Sequence, residues 1–111
     1  MRAELPDLVT IRLEGDLDVS RYPEIRSAFI DEVGTTGPVL VDLSAATLVD
    51  STFLSELLLL ARRLRERQRP FAVLITHPTV ARTFGLANVT ERFAIHHDRD
   101  LALRSLSRRE D

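Results

Sequence analysis

An aspartate and two hydroxyl residues stand side by side in the middle of this chain, at Asp50, Ser51 and Thr52. They follow a short apolar run at residues 38–43, which is typical of a buried parallel strand. Leucines at helical spacing come directly afterwards, and aspartate is a preferred N-cap, so we predict that Asp50 caps a helix. Ser51 would then lie at the accessible start of that helix, where a hydroxyl can act as a phosphorylation switch.

The composition restricts the class of protein. The chain has 111 residues, of which 44% are hydrophobic and 29% charged, and its formal net charge is -2. These values fit one small globular domain over residues 1–111. No apolar run approaches the ~18 residues of a membrane span, and the first residues lack the apolar core of a secretory signal. We therefore expect a cytoplasmic protein without direct membrane insertion.

Strand and helix patterns alternate around the hydroxyl pair. Val9, Ile11 and Leu13 alternate as on one face of a strand near a sheet edge, and residues 71–75 are typical of a central strand. A short strand is predicted at residues 93–95, and a frayed tail at residues 108–111. Apolar spacing, N-cap residues and helix-breaking residues predict four helices. The first is capped by Ser20 and ended by Gly34, and the second is stopped by Pro70. The third begins at Pro78, and the fourth is capped by Asp98 and carries Leu101, Ala102 and Leu106.

This alternation predicts an α/β fold, with a mostly parallel sheet of about four or five strands covered by about four α-helices. In such sheets, the working site lies beyond the carboxyl ends of the strands. Two acid-bearing segments, residues 15–18 and 44–51, follow strands and are predicted to be turns or loops. They are the candidates for a functional surface.

Two segments resemble the signatures of a known family. Residues 11–18 resemble the first-strand signature of the STAS domains, which ends in Gly-Glu-Leu-Asp. Residues 39–43, followed by Val49 to Thr52, resemble the Asp-Ser-(Ser/Thr)-Gly phosphorylation motif of the bacterial anti-sigma factor antagonists within that family. The resemblance covers nearly the whole chain.

The resemblance implies a small cytoplasmic domain that binds an anti-sigma factor, often itself a serine kinase, and thereby frees a sigma factor. The kinase would phosphorylate the serine after the aspartate, which is Ser51 here, and a metal-dependent phosphatase would reverse the reaction. Phosphorylation adds about -1.5 to -2 charges beside Asp50. The dipole of the helix start would tolerate the phosphate, whereas a packed partner surface would not. A loss of ~3 kcal/mol weakens binding roughly a hundredfold.

One residue departs from the family pattern. Phe53 stands where the family has glycine, and we expect it either to join the core stripe of Leu57, Leu60 and Leu64 or to contact the partner. A filled glycine position would hinder close approach by a kinase. Two interpretations therefore remain open: Ser51 is phosphorylated, or the motif is vestigial.

Other residues are predicted to contact the partner. Thr52, Ser55 and Leu59 lie on one side of the helical wheel, away from the core stripe, and we expect Leu59 to be an exposed docking point. Asp50 belongs to the same surface. The resemblance places Asp18 near the phosphorylation site, and its alternative role is that of a turn or cap residue. We expect Asp42 to be structural.

Other kinds of site are not expected. The chain has no cysteine and no glycine-rich phosphate loop, and the adjacent His96 and His97 would point to opposite faces of a strand, so we predict no metal and no cofactor. Ser51 has no Gly-x-Ser-x-Gly context, so we expect no enzyme activity. All 15 basic residues are arginine, yet without overall basicity we expect no nucleic-acid partner.

Two functions of different classes remain from the sequence. The first is an anti-sigma factor antagonist that is switched at Ser51, with a serine-kinase anti-sigma factor and a phosphatase as partners. The second is a STAS scaffold without phosphorylation, or an accessory subunit of a membrane transport complex that docks on its ATPase. The leucine-rich helix also leaves a homodimer open.

Overall fold

Helices and parallel strands alternate along the chain, as the sequence pattern predicts. The structure is a computed structural model that describes residues 5–107, so the predicted tail at residues 108–111 lies outside the described residues. The α/β class is confirmed. The elements are β1 (Val9–Arg12), β2 (Gly15–Leu17), a 3-10 turn (Val19–Arg21), α1 (Tyr22–Ser27) continued by a π-helical turn (Ala28–Glu32), β3 (Val39–Asp42), β4 (Ala46–Val49), α2 (Ser51–Glu66), β5 (Phe71–Leu74), α3 (Pro78–Leu86), β6 (Ile95–His96) and α4 (Arg99–Ser107).

The main sheet is parallel and has the strand order β1-β3-β5-β6. All four residues of β3 are buried, because this strand is central and both its faces are covered. In β1, Ile11 is fully buried while Thr10 and Arg12 are exposed, which confirms the predicted alternation at a sheet edge.

A second parallel pair joins β2 to β4, and the sequence analysis missed it. Residues 15–18 and 44–51 were predicted as turns or loops. The strands are three and four residues long, and only Leu17 and Val49 anchor their carboxyl ends in the core. Strands this short carry little of the apolar alternation by which a strand is recognised. The pairing matters because it holds the two acid-bearing segments side by side.

Two cores sandwich the main sheet. The larger core packs the helical segment from α1 to the π-helical turn, together with α2 and α3, on one face. The smaller core lies on the other face, where Ala102 and Leu106 of α4 meet Leu40, Ala72 and Leu74. Asp98 accepts a hydrogen bond from the Leu101 amide at 3.1 Å, which confirms the predicted cap of α4. Ala102 and Leu106 are buried, whereas Leu101 on the same helix is 48% exposed.

The first helical segment differs from its prediction. Its cap is Asp18 rather than Ser20, because the Asp18 carboxylate accepts from the Ser20 amide and the chain then makes one 3-10 turn before α1 begins. Ile25, Phe29 and Val33 recur at helical spacing and form the predicted apolar stripe of this segment. All three are buried. The early 3-10 turn is the part that approaches the start of α2.

The buried Arg69 fixes the turn that leads into β3. Its guanidinium donates to the backbone carbonyl oxygens of Val33, Gly34, Thr36 and Gly37 at 2.8, 3.2, 2.9 and 2.8 Å. Burial lowers the pKa of Arg69. Only a guanidinium can satisfy so many converging carbonyls at once, because it has five donors in a planar fork.

We expect Arg69→Met to lower the free energy of unfolding by about 3 kcal/mol, because it removes charged donors and leaves several carbonyls unpaired. Urea denaturation measures this loss. Arg67→Met is the matched control, since Arg67 is exposed and surface substitutions usually stay within about 0.5 kcal/mol. Equal stability of the two variants would contradict the role of Arg69.

Candidate functional site

The Asp50 carboxylate joins two segments that meet at the carboxyl ends of β2 and β4. One oxygen, Oδ1, accepts from the Phe53 amide at 2.9 Å and caps α2, which confirms the predicted N-cap. The other, Oδ2, accepts from the Val19 amide at 3.0 Å, at the start of the 3-10 turn. A single side chain therefore fixes the start of α2 against the turn that carries Asp18.

The hydroxyl residues of the motif begin α2. Ser51 is the first residue of the helix and is exposed, Thr52 is half-buried, and Ser55 is exposed one helical turn further on. A helix start carries unpaired amides and a partial positive charge. This place can accept an added phosphate without repacking the core.

Phe53 lies in the core. It is 1% exposed, and its ring lies 6.0 Å from that of Phe29, centroid to centroid. This confirms that Phe53 joins the core stripe with Leu57, Leu60 and Leu64, and it corrects the expectation that Phe53 contacts a partner. The side chain points away from the surface, so it does not fill the space outside Ser51.

Asp18 caps the 3-10 turn. Its Oδ1 accepts from both the amide and the hydroxyl of Ser20, at 3.0 and 2.5 Å. These hydrogen bonds lower the pKa of Asp18. The structure thus shows Asp18 in the cap role, which was the alternative to its role in partner binding. Because the next residue, Val19, is bonded to Asp50, Asp18 also lies beside the start of α2.

Two apolar side chains at the site were missed by the sequence analysis. Val19 is 65% exposed and Leu48 is 40% exposed, on the two segments that flank Asp50. Thr47 donates to Asp16 at 2.7 Å across the β2–β4 pair and so holds these segments together. No sequence signal marked these two side chains, because residues 44–51 were predicted as a turn or loop; the observed strand β4 places the adjacent Leu48 and Val49 on opposite faces.

The surface around Ser51 is acidic. Asp16, Asp18 and Asp50 all lie in the two segments next to it. Arg21 is tied to Glu24 by hydrogen bonds at 2.8 and 3.1 Å, which raise the pKa of Arg21 and lower that of Glu24. Arg21 also donates to the backbone carbonyls of Glu14 and Asp16. Because the charge of Arg21 is engaged in these contacts, a phosphate on Ser51 would add its negative charge to that of the aspartates.

Leu59 is half-buried rather than fully exposed. It lines a surface cavity of about 290 Å³ together with Leu58, Ala61, Arg62, Arg65 and Arg92. Its position on the flank of α2, away from the core stripe, agrees with the helical wheel. Asp42 is 3% exposed and accepts from the Ser44 amide at 2.9 Å, consistent with a structural role.

Among residues 5–107, no group of three or more histidine, aspartate and glutamate side chains is arranged to hold a metal ion. His97 Nδ1 lies 2.7 Å from the Ile75 carbonyl oxygen, and His77 Nδ1 accepts from the Thr79 amide at 3.1 Å. Both rings thus make backbone contacts that position loops.

We expect Asp50→Asn and Asp50→Ala to differ. Asparagine keeps one oxygen for the cap, but an NH2 group replaces the second oxygen and cannot accept from the Val19 amide, whereas alanine loses both bonds. Loss of an N-cap costs about 1 kcal/mol, and a hydrogen bond contributes about 1 kcal/mol more. Hydrogen exchange should speed up at the Val19 amide in both variants, and at the Phe53 amide only in Asp50→Ala. An unchanged hydrogen-exchange rate of the Val19 amide in Asp50→Ala would contradict the hydrogen bond between Val19 and Asp50.

The Asp18 cap predicts a pH dependence. Because the folded pKa lies below the ordinary value of 3.8, ionised Asp18 stabilises the turn above that value, and the contribution is lost as the pH falls through the lowered folded pKa. We expect Ser20→Ala to raise the Asp18 pKa towards 3.8, as measured by a carboxyl NMR titration. Ser27→Ala is the control, because Ser27 donates to Asp31 instead. An unshifted Asp18 pKa in Ser20→Ala would show that the Ser20 hydroxyl does not stabilise the ionised carboxylate and would contradict this prediction.

No helix within residues 5–107 combines the length and the apolar character needed to cross a membrane. No curated protein sequence matches the chain significantly. Similar solved structures include an anti-sigma factor antagonist from Mycobacterium paratuberculosis, which is 20% identical over 95% of this chain and 90% of that chain, with a TM-score of 0.84. A sulfate transporter family protein from Wolinella succinogenes is 11% identical over 95% and 89% of the two chains, with a TM-score of 0.73.

A third similar structure is the anti-sigma factor antagonist SpoIIAA in its unphosphorylated form, at 17% identity over 96% of each chain and a TM-score of 0.60. At these identities, the structures show a shared fold. The family model of the STAS domain matches residues 1–102, which is most of the chain. The chain therefore belongs to the STAS domain family.

Proposed function

We propose that this chain is an anti-sigma factor antagonist, a single binding domain that acts in the cytoplasm and frees a sigma factor by occupying its anti-sigma factor. The observation that carries the proposal is the exposed Ser51 at the first position of α2, next to an acidic rim formed by Asp16, Asp18 and Asp50. Anti-sigma factor antagonists are among the solved structures that share its fold. The function needs recognition and no catalytic group in this chain.

The partner surface in this proposal is formed by the start of α2 and the two segments that Asp50 joins. Thr52, Ser55 and Leu59 contribute along α2, and Asp18 contributes from the 3-10 turn. The exposed Val19 and Leu48 add apolar area beside the polar residues. Apolar side chains surrounded by polar groups are typical of protein interfaces. Asp50 acts indirectly, because both its oxygens are engaged with backbone amides.

The proposed switch is electrostatic and steric. A serine-kinase anti-sigma factor would phosphorylate Ser51, and a metal-dependent serine phosphatase would restore it. The phosphate would bring about -1.5 to -2 charges to a surface that already holds Asp16, Asp18 and Asp50. A partner that has adapted to these acids and to a bare hydroxyl would lose contacts and gain repulsion. The fold itself would be preserved, because Ser51 makes no core contact.

A second candidate is a STAS scaffold or an accessory subunit of a membrane transport complex, which docks on its ATPase without phosphorylation. Two observations favour it: the family glycine is replaced by Phe53, and a sulfate transporter family protein shares the fold. The burial of Phe53 weakens the first of these, because the ring leaves the surface around Ser51 open.

We expect Ser51→Asp to weaken binding to the cognate anti-sigma factor at least about a hundredfold in calorimetric titrations, which corresponds to ~3 kcal/mol. Thr35→Asp is the matched control: Thr35 is exposed in the turn before β3, at the amino end of the parallel strands. Circular dichroism should be unchanged for both variants. Retained affinity in Ser51→Asp would contradict the switch, and binding to a transporter ATPase instead of an anti-sigma factor would establish the second candidate.

A further inference from the structure

Two adjoining cavities form one groove along the flank of α2 that leads away from Ser51. The first, of about 290 Å³, contains Leu59. The second, of about 410 Å³, continues past the helix end. Ala61, Arg65 and Arg92 line both cavities, so the two are continuous. The second cavity is also lined by Gln68, Arg69, Pro70, Phe71, Phe93 and Ala94.

The groove has a cationic rim. Arg62, Arg65 and Arg92 are exposed along it. Arg62 is paired with Glu66 at 3.4 Å, whereas neither Arg65 nor Arg92 forms an ion pair with any carboxylate of residues 5–107. Arg69 also lines the groove, but its guanidinium is committed to backbone carbonyls. Two free guanidinium groups therefore face one space.

The helix dipole explains only part of this charge. Arginines in the last turns of α2 complement its negative end. Arg92 comes from a different segment, the turn after α3, where its amide donates to the Val89 carbonyl at 2.9 Å. Its convergence with Arg65 is a property of the folded chain and not of one helix.

We propose that this groove, defined by Arg62, Arg65 and Arg92, is a docking site for an acidic segment of a partner protein. The guanidinium fork binds carboxylates in a bidentate manner. Between the arginines, the lining includes the apolar side chains of Leu58, Phe71 and Phe93. A segment that alternates acidic and apolar residues matches this arrangement better than a small anion does, because a small anion would leave the apolar lining uncovered.

The dimensions suit an extended peptide. From Leu58 to Arg65 the groove follows eight residues of α2, which are seven steps of 1.5 Å or about 10 Å, and then continues beyond the helix. An extended chain advances ~3.3 Å per residue, so a segment of about four to six residues would fill it. The groove adjoins the partner surface proposed at Ser51, because Leu59 belongs to both, but its arginines carry the opposite charge. A partner that contacts both the groove and the acidic surface at Ser51 would carry negative and positive side chains in fixed positions.

The test uses the intact protein and a fluorescein-labelled peptide of alternating glutamate and leucine, followed by fluorescence anisotropy. A peptide with glutamine in place of glutamate is the control ligand. We expect the glutamate peptide to bind and the glutamine peptide to bind at least tenfold more weakly. Raised salt should weaken the glutamate complex, since exposed charges are screened beyond about 8 Å at physiological ionic strength.

The variant Arg65→Glu with Arg92→Glu should lose the peptide, with at least a tenfold weaker affinity. Arg63→Glu is the matched control: Arg63 is also exposed on α2 but lines a different cavity with Ile30, Leu60 and Arg67. Circular dichroism checks that each variant folds, and if the double variant does not, Arg65→Gln replaces it. Equal losses in the groove variant and Arg63→Glu would overturn the proposal, as would undetectable peptide binding. Equal affinity for inorganic pyrophosphate or for a single-stranded oligonucleotide would also overturn it.

Discussion

The candidate site depends on one carboxylate that accepts two backbone amides from separate parts of the chain. Through its bonds to Phe53 and Val19, Asp50 fixes the first turn of α2 against the turn that follows β2. The β2–β4 pair and the Thr47–Asp16 hydrogen bond hold these segments side by side, and the Asp50 amide donates to the Leu17 carbonyl oxygen at 3.3 Å. The two hydrogen bonds of the Asp50 carboxylate then set the first turn of α2 against the 3-10 turn. Short segments thus form an acidic rim beside Ser51, at Asp16, Asp18 and Asp50.

The same arrangement separates the proposed switch from the stability of the domain. The residues that hold the core, Phe53 and Leu57 on α2, point inward, while Ser51 and Ser55 lie on the outside of the same helix. A charge added at Ser51 acts on whatever approaches the surface and not on the packing beneath it. The far half of α2 carries the opposite charge, in the arginine groove. The two surfaces that we propose as docking sites therefore lie at opposite ends of one helix and differ in charge.

Much of the fold could be predicted from the sequence, because the long apolar runs and helical stripes are strong signals. The continuous run of β3, the leucine stripe of α2 and the Asp50 cap are local patterns of this kind. The β2–β4 pair was missed, because its residues alternate poorly and the pairing depends on segments about thirty residues apart. The Asp18 cap was foreseen as the alternative role of that residue, because it is a local pattern. The second hydrogen bond of Asp50 could not be predicted, since a carboxylate gives no sequence signal for which distant amide it will meet. The burial of Phe53 was predicted from helical spacing. Its alternative role as a partner contact does not fit the structure, because the ring packs in the core. The partner contacts at Asp18, Thr52, Ser55 and Leu59 stay predictions.

The most direct test of the account is the mass of the protein after incubation with ATP and its candidate anti-sigma kinase. The account predicts the addition of a single phosphate, mapped to Ser51 by fragmentation, and no phosphate on the Ser51→Ala variant. No phosphate despite a stable complex with the kinase, or a phosphate mapped to Thr52 or Ser55, would contradict it.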